Sequence, residues 1–502
     1  MTTKNELFEK IEAQKEKLWE MADFIFDHPE YRGKEYQACD LLTKYLTDNG
    51  FSVERSVGGY ETSFRAEWKH GEGGPVIGIL CEYDALEGLG HGCGHHMQGP
   101  SCLGAAVALK ECAGEEPFTL VVYGTPAEET LGSKCDMIKN GCFHELDAAF
   151  MMHGSPTTCT DVKCLADQSF KVTFHGKRAH AALAPEQGRS AFDALLVAFN
   201  GIEFLREHVP DDVRMHYTVA ELPGPANVVP VKSVGKFSLR SFSKEELKDV
   251  VSRFKDIVKG AALIAGVDYE LEQTSDFYNK IPVLKLNELL MENAKLAGAP
   301  RLAPPREKTG STDFGNVMYE IPGSCIRVAF VPEGTSSHSQ EFVDAGKTQA
   351  ARDCILYGAK SIAGASMDLI TKPELMDEAD WYNVDVITCA APNLREKPSN
   401  AFNTGDGKDA IKITDKELLA IHEKRLRRIL DVALSNKAET IVLGAFGCGA
   451  FMNNPNVVAQ ASKNVLNEYL YAFKNIEFAV YCSPNDDTNY RIFDRVLKPY
   501  TK

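Results

Sequence analysis

Two pairs of side chains with metal-binding chemistry follow apolar stretches of the sequence. Cys93 and His95 stand two residues apart in the glycine-rich run GLGHGCGHH, after the apolar run PVIGILC, and Glu128 and Glu129 are adjacent after the apolar run FTLVVYG. Thiolates, imidazoles and carboxylates are ligands for divalent metals, and glycines let the backbone bend around an ion. Two adjacent carboxylates also repel each other, so a nearby cation would stabilise them.

Two single histidines extend this set of candidate ligands. His153 ends the apolar run AAFMMH, and His338 lies in the polar run EGTSSHSQEF. Taken alone, each single histidine favours a hydrogen-bonded structural role and the glutamate pair favours a solvated turn. The Cys93-Gly94-His95 run taken alone is equally consistent with metal binding and with an ordinary loop. Because chemistry in open parallel sheets gathers at the carboxyl ends of the strands, the four pieces together predict a metal site.

The elements that must position these residues indicate an α/β protein with three parts. Residues 1–167 alternate apolar strands with helices, which predicts a largely parallel sheet covered by helices, and residues 278–372 resume the same domain. Residues 168–277 follow the order β-α-β-β-α-β, which predicts an inserted split-βαβ domain. Residues 380–502 predict a βαβαβ unit with the strands VDVITCAAPN, TIVLGAFGCG and IEFAVYC.

Charge, apolar runs and cysteine pattern limit the partners and the cellular location that the sequence predicts. The 502-residue chain has a net charge of −16, which argues against a nucleic-acid or anionic-membrane partner. No stretch reaches the roughly 18 apolar residues of a membrane span, and the N-terminal run lacks the apolar core of a signal peptide. The 14 cysteines include no C-x-x-C pair, which is typical of reduced thiols. These features predict a soluble cytoplasmic protein.

Five motifs in a fixed order carry a family resemblance. The runs YDALEGLGHGCGHHMQGPSCLGAAVALK, GTPAEETLGSK, HGKRAHAALAPEQGRSAFDAL, GPANVVP and GSTDFGNV resemble the amidohydrolase branch of the aminoacylase/carnosinase metallopeptidases, peptidase family M20, near the subgroup of aminobenzoyl-glutamate hydrolase and the dipeptidase-like aminoacylase relatives. The resemblance covers about residues 5–375. It implies hydrolysis of the amide bond of an N-acyl amino acid or dipeptide-like substrate with a free carboxylate. It also implies two divalent ions per subunit, with zinc, manganese and cobalt as candidates.

The resemblance assigns roles in the catalytic domain. Its metal ligands fall on Cys93, His95, Glu129, His153 and His338. Glu128 corresponds to the general base, which takes a proton from the attacking water, and Asp84 corresponds to an acid that orients the ligands. Two neighbouring ions can activate water and polarise a carbonyl. The neighbouring His91 and His96 are expected to lie outside the ligand set.

The resemblance also makes the inserted domain a lid and dimerisation domain, which predicts a homodimer. His180 matches a lid histidine that reaches the carbonyl oxygen in the closed state, often from the partner subunit. Asn227 and Arg240 match positions that hold the substrate's free carboxylate. Without the resemblance, they would equally well be a turn asparagine and a surface-strand arginine.

The C-terminal unit resembles the C-terminal half of microbial-type poly(ADP-ribose) glycohydrolases, which are macro-domain proteins. Gly444, Gly447 and Gly449 belong to a loop between a strand and a helix at Asn454-Pro455, where backbone N–H groups could cradle a diphosphate. The chain lacks the Gly-Gly-Gly segment with its catalytic pair, so no glycohydrolase activity is expected. The unit then either binds ADP-ribose weakly or is a remnant of a gene fusion. Two alternatives to the enzyme remain: an ADP-ribose-binding protein with a regulatory or inactive peptidase part, and a metal-dependent scaffold.

Overall fold

The computed structural model describes residues 3–307, 309–376, 387–394, 413–449, 451–481 and 486–500. The chain divides into two compact units, Met1–Asn383 and Val384–Lys502. Within the described residues, no helix combines the length and apolar character that crossing a membrane requires.

The first segment of unit one alternates helices and strands. Its helices are α1 Lys4–Ala13, α2 Lys15–Asp27, α3 Tyr36–Asp48, α4 Gln98–Glu111 and α5 Ser133–Lys139. Its strands are β1 Ser52–Arg55, β2 Phe64–His70, β3 Val76–Cys81, β4 Phe118–Gly124 and β5 Ala148–Ser155.

The inserted segment has the element order β-α-β-β-α-β. Its elements are β6 Ala166–His175, α6 Ala191–Arg206, β7 Arg214–Glu221, β8 Lys232–Ser241, α7 Lys244–Ala265 and β9 Asp268–Phe277. The four strands form an antiparallel sheet in the order β7-β8-β6-β9. Both helices pack on one face of this sheet, while the side chains of β7 are almost all exposed. The function of this segment as a lid stays a prediction.

The chain then returns to the first sheet. The returning elements are α8 Leu284–Leu296, α9 Phe314–Val317, β10 Gly323–Ala329, α10 Gln340–Asp344 and α11 Gln349–Thr371. The complete sheet has the order β1-β2-β4-β3-β5-β10. The four strands β4, β3, β5 and β10 are parallel, whereas β1 and β2 are antiparallel additions at one edge. The sheet is therefore mixed but mostly parallel, as the alternating pattern predicts.

Alternating side chains give this sheet two apolar faces. Ile77 and Ile79 of β3 join one core with residues of α1–α4, α8 and α11. Leu80 of the same strand joins a smaller core with residues of α5 and α9. Because successive strand residues point to opposite faces, the sheet lies between two helical layers and its strand ends alone are open for chemistry.

Unit two is smaller, and its described residues form fewer strands than predicted. Its described elements are α12 Asp415–Ser435, β11 Thr440–Gly444, α13 Pro455–Tyr469, β12 Asn475–Ala479 and α14 Thr488–Leu497. The strands β11 and β12 form a parallel pair connected through α13. Ile441 and Leu443 are buried beneath the helices, whereas Val442 between them is exposed.

The predicted first strand of unit two, VDVITCAAPN, is wrong for the residues that the structure describes. Residues 384–386 lie outside the described residues, and residues 387–394 contain no strand. The backbone of this stretch bonds to a loop and to side chains: Leu394 N–H donates to the Phe451 carbonyl (3.0 Å), and the Pro392 carbonyl accepts from Asn453 Nδ2 (2.7 Å). These partners replace a sheet ladder, so the predicted βαβαβ order is reduced to one βαβ unit among the described elements.

Candidate metal centre and active site

The candidate ligands meet at the carboxyl edge of the mostly parallel sheet. Asp84 follows the end of β3, Glu128 and Glu129 follow the end of β4, and His153 lies near the end of β5. The strands β4, β3 and β5 are parallel neighbours, so their carboxyl ends are adjacent. His338 reaches this edge of the sheet from the loop between β10 and α10. Its backbone N–H donates a hydrogen bond to the Gly92 carbonyl (2.9 Å).

Gly94 allows Cys93 and His95 to approach each other. Its φ is +84°, and a Cβ built there would lie 3.0 Å from the Met97 Cε atom. Both the left-handed conformation and the close contact favour glycine. The turn places His95 at the start of a short 3₁₀ segment that leads into α4.

Asp84 fixes the orientation of His95. Its Oδ1 lies 2.9 Å from His95 Nδ1, and its Oδ2 accepts a hydrogen bond from Glu129 N–H (2.9 Å). An ionised carboxylate only accepts, so His95 Nδ1 carries the proton and Nε2 presents a lone pair. This Nε2 atom is buried without a hydrogen-bond partner, although Glu82 Oε2 lies 3.3 Å away in an unsuitable geometry. A buried nitrogen with a free lone pair fits a metal ligand.

All five predicted ligands lie close enough together to share bound metal ions. Cys93 Sγ is 3.4 Å from His153 Nε2, and His338 Nε2 is 3.1 Å from Glu129 Oε1. Ligand atoms lie within 4.8 Å of one another in three overlapping groups: Cys93 with His95 and His153, Cys93 with Glu129 and His338, and His95 with Glu128 and Glu129. This mixture of sulfur, nitrogen and oxygen donors fits zinc, and it also accepts manganese or cobalt.

The adjacent glutamates have opposite electrostatic environments. The preceding residue, Ala127, is buried and has a φ of +56°, which is unusual for alanine. The backbone therefore turns sharply just before the two glutamates. Burial, followed by the charges of Glu82 and Glu129, raises the pKa of Glu128 well above its usual range. Burial alone would also raise the pKa of Glu129, but the hydrogen bond with His338 lowers it to about 2. Neighbouring carboxyl groups with pKa values pushed apart suit two different roles.

A buried ionic network behind Glu128 was not assigned from the sequence. Lys134 Nζ donates to Glu82 Oε1 (2.7 Å) and Asp313 Oδ1 (2.6 Å), and Gln98 Nε2 donates to Glu82 Oε2 (2.7 Å). Carboxylate oxygens of Glu82, Glu128 and Asp313 lie within 4.8 Å of one another. Lys134 and Asp313 stand inside the motifs GTPAEETLGSK and GSTDFGNV, which was the available signal.

A cavity of about 790 Å³ opens beside the ligand cluster. Glu128, Glu129, His153 and His338 line it. The predicted lid residues His180, Asn227 and Arg240 are not among the lining residues in this chain.

Two of those lid residues are neighbours in the inserted domain. The Asn227 carbonyl accepts from Ala181 N–H (3.0 Å), next to the exposed His180. Arg240 lies on β8 and pairs with Asp167 Oδ1 (3.3 Å). Their substrate-binding roles stay predictions.

The remaining histidines of the first motif bond to backbone carbonyls. His91 Nε2 lies 3.0 Å from the Ile25 carbonyl, and His96 Nε2 lies 2.9 Å from the Gly346 carbonyl. Neither belongs to a metal-type group within the described residues.

The glycine loop of unit two is organised around Asn453. Its Nδ2 donates to the carbonyls of Pro392 (2.7 Å), Gly447 (3.0 Å) and Phe451 (3.2 Å), and its Oδ1 lies 2.9 Å from His422 Nε2. Gly447 has a φ of +81°, and a Cβ there would lie 2.6 Å from the Ala391 Cβ.

The predicted diphosphate loop lies next to a helix start. Gly444 ends β11, Gly449 has no neighbour within 4 Å of an added Cβ, and α13 begins after Asn454. Binding of ADP-ribose by this loop stays a prediction.

Fold and site together define an α/β protein with metal-type ligands at the carboxyl edge of its sheet. Residues 79–364, more than half of the chain, match the family model described as Peptidase family M20/M25/M40. The chain belongs to this family and is a hydrolytic enzyme of the amidohydrolase/dipeptidase type. The match ends before unit two.

Two curated relatives span most of the chain. It is 32% identical over 385 residues to the Xaa-Arg dipeptidase of Mus musculus, covering 74% of this chain and 89% of the relative. It is 28% identical over 453 residues to a p-aminobenzoyl-glutamate hydrolase subunit of Escherichia coli strain K12, covering 75% of this chain and 94% of the relative.

Two solved structures share the fold. The aminobenzoyl-glutamate utilization protein of Klebsiella pneumoniae aligns with a TM-score of 0.56 at 19% identity, over 72% of this chain and 98% of that one. YxeP of Bacillus subtilis, a dinuclear metal-binding M20 peptidase, aligns with a TM-score of 0.54 at 20% identity, over 70% of this chain and 98% of that one.

Proposed function

We propose that this enzyme hydrolyses the amide bond of an N-acyl amino acid or dipeptide-like substrate with a free carboxylate, using two divalent ions. The observation that carries the proposal is the convergence of Cys93, His95, Glu129, His153 and His338 beside Glu128 at one cavity. The names of the two curated relatives, a dipeptidase and an aminobenzoyl-glutamate hydrolase, support the same class of amide substrate.

The chain's own residues divide the catalytic work. Asp84 holds His95 and the Glu129 backbone together, so both ligands are placed before an ion arrives. When bound, two divalent ions supply the Lewis acidity that activates water and polarises the scissile carbonyl. Glu128 accepts the proton of the attacking water on a carboxylate oxygen and donates it to the leaving amine nitrogen.

The proposal is tested on metal-stripped protein reloaded with zinc, manganese or cobalt. Metal per chain is measured by mass spectrometry, and turnover is measured with aminobenzoyl-glutamate, acetyl-amino acids and dipeptides. We expect metal-dependent release of a free amino acid. Cys93→Ser should lower both metal content and turnover, whereas Cys135→Ser, at a half-buried cysteine outside the cluster, should leave both unchanged. Metal-independent turnover, or equal effects of the two substitutions, would contradict the proposal.

We further propose that the inserted domain forms a homodimer and that His180 acts across it. Exposed apolar side chains on this domain include Phe204, Leu222, Leu263 and Ile264, which a subunit interface would remove from water. His180 does not line the cavity of its own chain, so an adjacent subunit is a suitable recipient.

Mixed dimers test this second proposal. His180→Ala and Glu128→Gln protein are each expected to be inactive alone. If His180 serves the partner, each mixed dimer keeps one complete site of its two. A randomly paired equimolar mixture, in which about half of the dimers are mixed, should then regain up to about a quarter of wild-type turnover. Failure of mixing to restore any turnover, with dimers confirmed by light scattering, would contradict it.

A further inference from the structure

Three cations converge on one buried carboxylate at the wall of the cavity. Asp161 Oδ1 accepts from Arg306 Nε (2.9 Å), and its Oδ2 accepts from Arg327 Nε (2.8 Å) and Lys280 Nζ (3.0 Å). The side chain of Asp161 is 1% exposed. One negative and three positive charges leave an excess of two positive charges, and a buried excess charge is costly unless an anion compensates it.

This cation cluster, Asp161 with Lys280, Arg306 and Arg327, lies close to the candidate metal centre. Arg327 on β10 is the register partner of His153 on β5, a candidate metal ligand. Partners on adjacent parallel strands point to the same face, so both side chains belong to the same side of the sheet. Lys280, Arg306 and Arg327 all line the cavity that contains Glu128 and His153.

The guanidinium groups are held with their terminal nitrogens free. Asp161 uses only the Nε atom of Arg306 and of Arg327. Within the described part of the chain, neither arginine donates a hydrogen bond from an Nη nitrogen. The two side chains are 32% and 14% exposed, respectively. Terminal nitrogens of a fixed guanidinium match the geometry of a carboxylate, which they can bind with two parallel hydrogen bonds.

Other polar groups of the cavity leave this excess uncompensated. Asp211 and Asp212 of the inserted domain also line the cavity, but neither forms an ion pair with Arg306 or Arg327 among the described residues. Asp212 Oδ2 already accepts from Phe242 N–H (3.0 Å) and Ser241 Oγ (3.2 Å). The Ser155 hydroxyl, on the strand that carries His153, lines the same cavity and is buried without a partner.

We propose that Arg327 and Arg306, oriented by Asp161, bind a carboxylate of the amino-acid part of the substrate. This inference rests on the proposed amide hydrolysis and adds a binding site in the catalytic domain, separate from the predicted lid positions. The carboxylate belongs either to the main chain or to an acidic side chain of the amino acid. Lys280 and Asp161 are positioning residues that hold the clamp and its charge.

The test compares Arg327→Met with wild type on three matched substrates: aminobenzoyl-glutamate, its α-carboxamide and its γ-carboxamide. Loss of charged hydrogen bonds predicts a fall in kcat/KM of about 10- to 100-fold for the dicarboxylate, carried mainly by KM. The carboxamide that lacks the clamped carboxylate should be insensitive to the substitution. The carboxamide that keeps this carboxylate should show the full fall in kcat/KM. The comparison therefore identifies whether Arg327 binds the α- or the γ-carboxylate. Arg55→Met, at a surface arginine paired with Asp40, is the matched control.

Two results would overturn the clamp. If Arg327→Met lowers kcat/KM equally for all three substrates, Arg327 supports the position of His153 and does not bind the carboxylate. If the substitution lowers kcat/KM for none of them, Arg327 does not bind the substrate. Arg327→Lys keeps the ion pair with Asp161 and serves if the methionine variant misfolds; it should lose affinity through the missing second hydrogen bond. If wild type cleaves none of the three, the proposed reaction fails on this panel. The clamp is then judged by calorimetric binding of glutamate, which Arg327→Met must weaken at least tenfold.

Discussion

Two glycine-rich loops follow strands in this chain, and they differ in what their polar groups do. In the loop after β3, His95 Nε2 is buried without a hydrogen-bond partner, in a group with Cys93 and His153. In the loop after β11, the organising side chain Asn453 donates to three carbonyls and lies within hydrogen-bonding distance of His422. Glycine spacing indicates where the backbone turns, whereas buried ligand atoms without partners indicate where an ion or substrate belongs.

The largest expected effect contrasts the candidate metal centre with the glycine loop of unit two. Glu128→Gln should lower kcat by about 10²- to 10⁴-fold, because the amide cannot relay a proton. Metal content should stay unchanged, since Glu128 is not one of the five predicted ligands. Stopped assays with mass spectrometric metal analysis measure both quantities. Asn453→Ala should leave kcat unchanged, and a similar loss of kcat in that variant would contradict the distinction between the metal centre and the loop of unit two.

A second prediction concerns the ionic network behind Glu128. Lys134→Met should destabilise unit one by about 3–5 kcal/mol, because it leaves the buried carboxylates of Glu82 and Asp313 without their cation. Lys139→Met, five residues along and paired at the surface with Asp136, should cost less than about 1 kcal/mol. Chemical denaturation followed by fluorescence compares the two variants, and similar midpoints would contradict a stabilising role for the network.

These two predictions mark the division between what the sequence predicts and what it does not. Metal-binding residue types after apolar runs or in a polar loop indicated a metal site, and the family resemblance then assigned its ligands to Cys93, His95, Glu129, His153 and His338. The sequence analysis assigned no role to Lys134, Glu82 or Asp313. Lys134 is 52 residues from Glu82 and 179 residues from Asp313 along the chain, so these residues meet only in the folded protein.

The same limit explains the fold of unit two. The segment VDVITCAAPN has the composition of a strand, but its described backbone groups bond to the loop around Asn453. Tertiary partners outweigh local β-propensity there.

A pH effect is expected near the metal centre. Burial and the charge of Asp84 raise the pKa of Glu35 from 4.5 to about 7. The folded chain therefore holds this proton to higher pH than the unfolded chain, so stability falls as pH rises from about 4.5 to about 7. By the usual 1.36 kcal/mol per pKa unit, the loss is about 3 kcal/mol.

Glu35→Gln removes this titration and should flatten the profile over the same window. Chelator-treated wild type and variant are compared by denaturation at pH 4.5, 6 and 8. Parallel profiles for the two proteins would contradict the raised pKa.

The smallest expected effect lies in the loop of unit two. Gly447→Ala should destabilise it by about 1–2 kcal/mol, because alanine is strained at a φ of +81° and its Cβ would meet Ala391. Gly449→Ala has open space around the added methyl group and should cost little. Hydrogen exchange of α13 measures the difference, with kcat unchanged in both variants. Equal exchange rates would contradict the close packing at Gly447.

Anomalous X-ray diffraction from crystals grown with zinc or manganese would locate the metal ions themselves. We expect two anomalous peaks per chain, both among Cys93, His95, Glu129, His153 and His338, with Glu128 beside them and outside the ligand set. No peak at this cluster, or the same peaks in crystals of His95→Ala protein, would contradict the assignment of these residues as a two-metal centre.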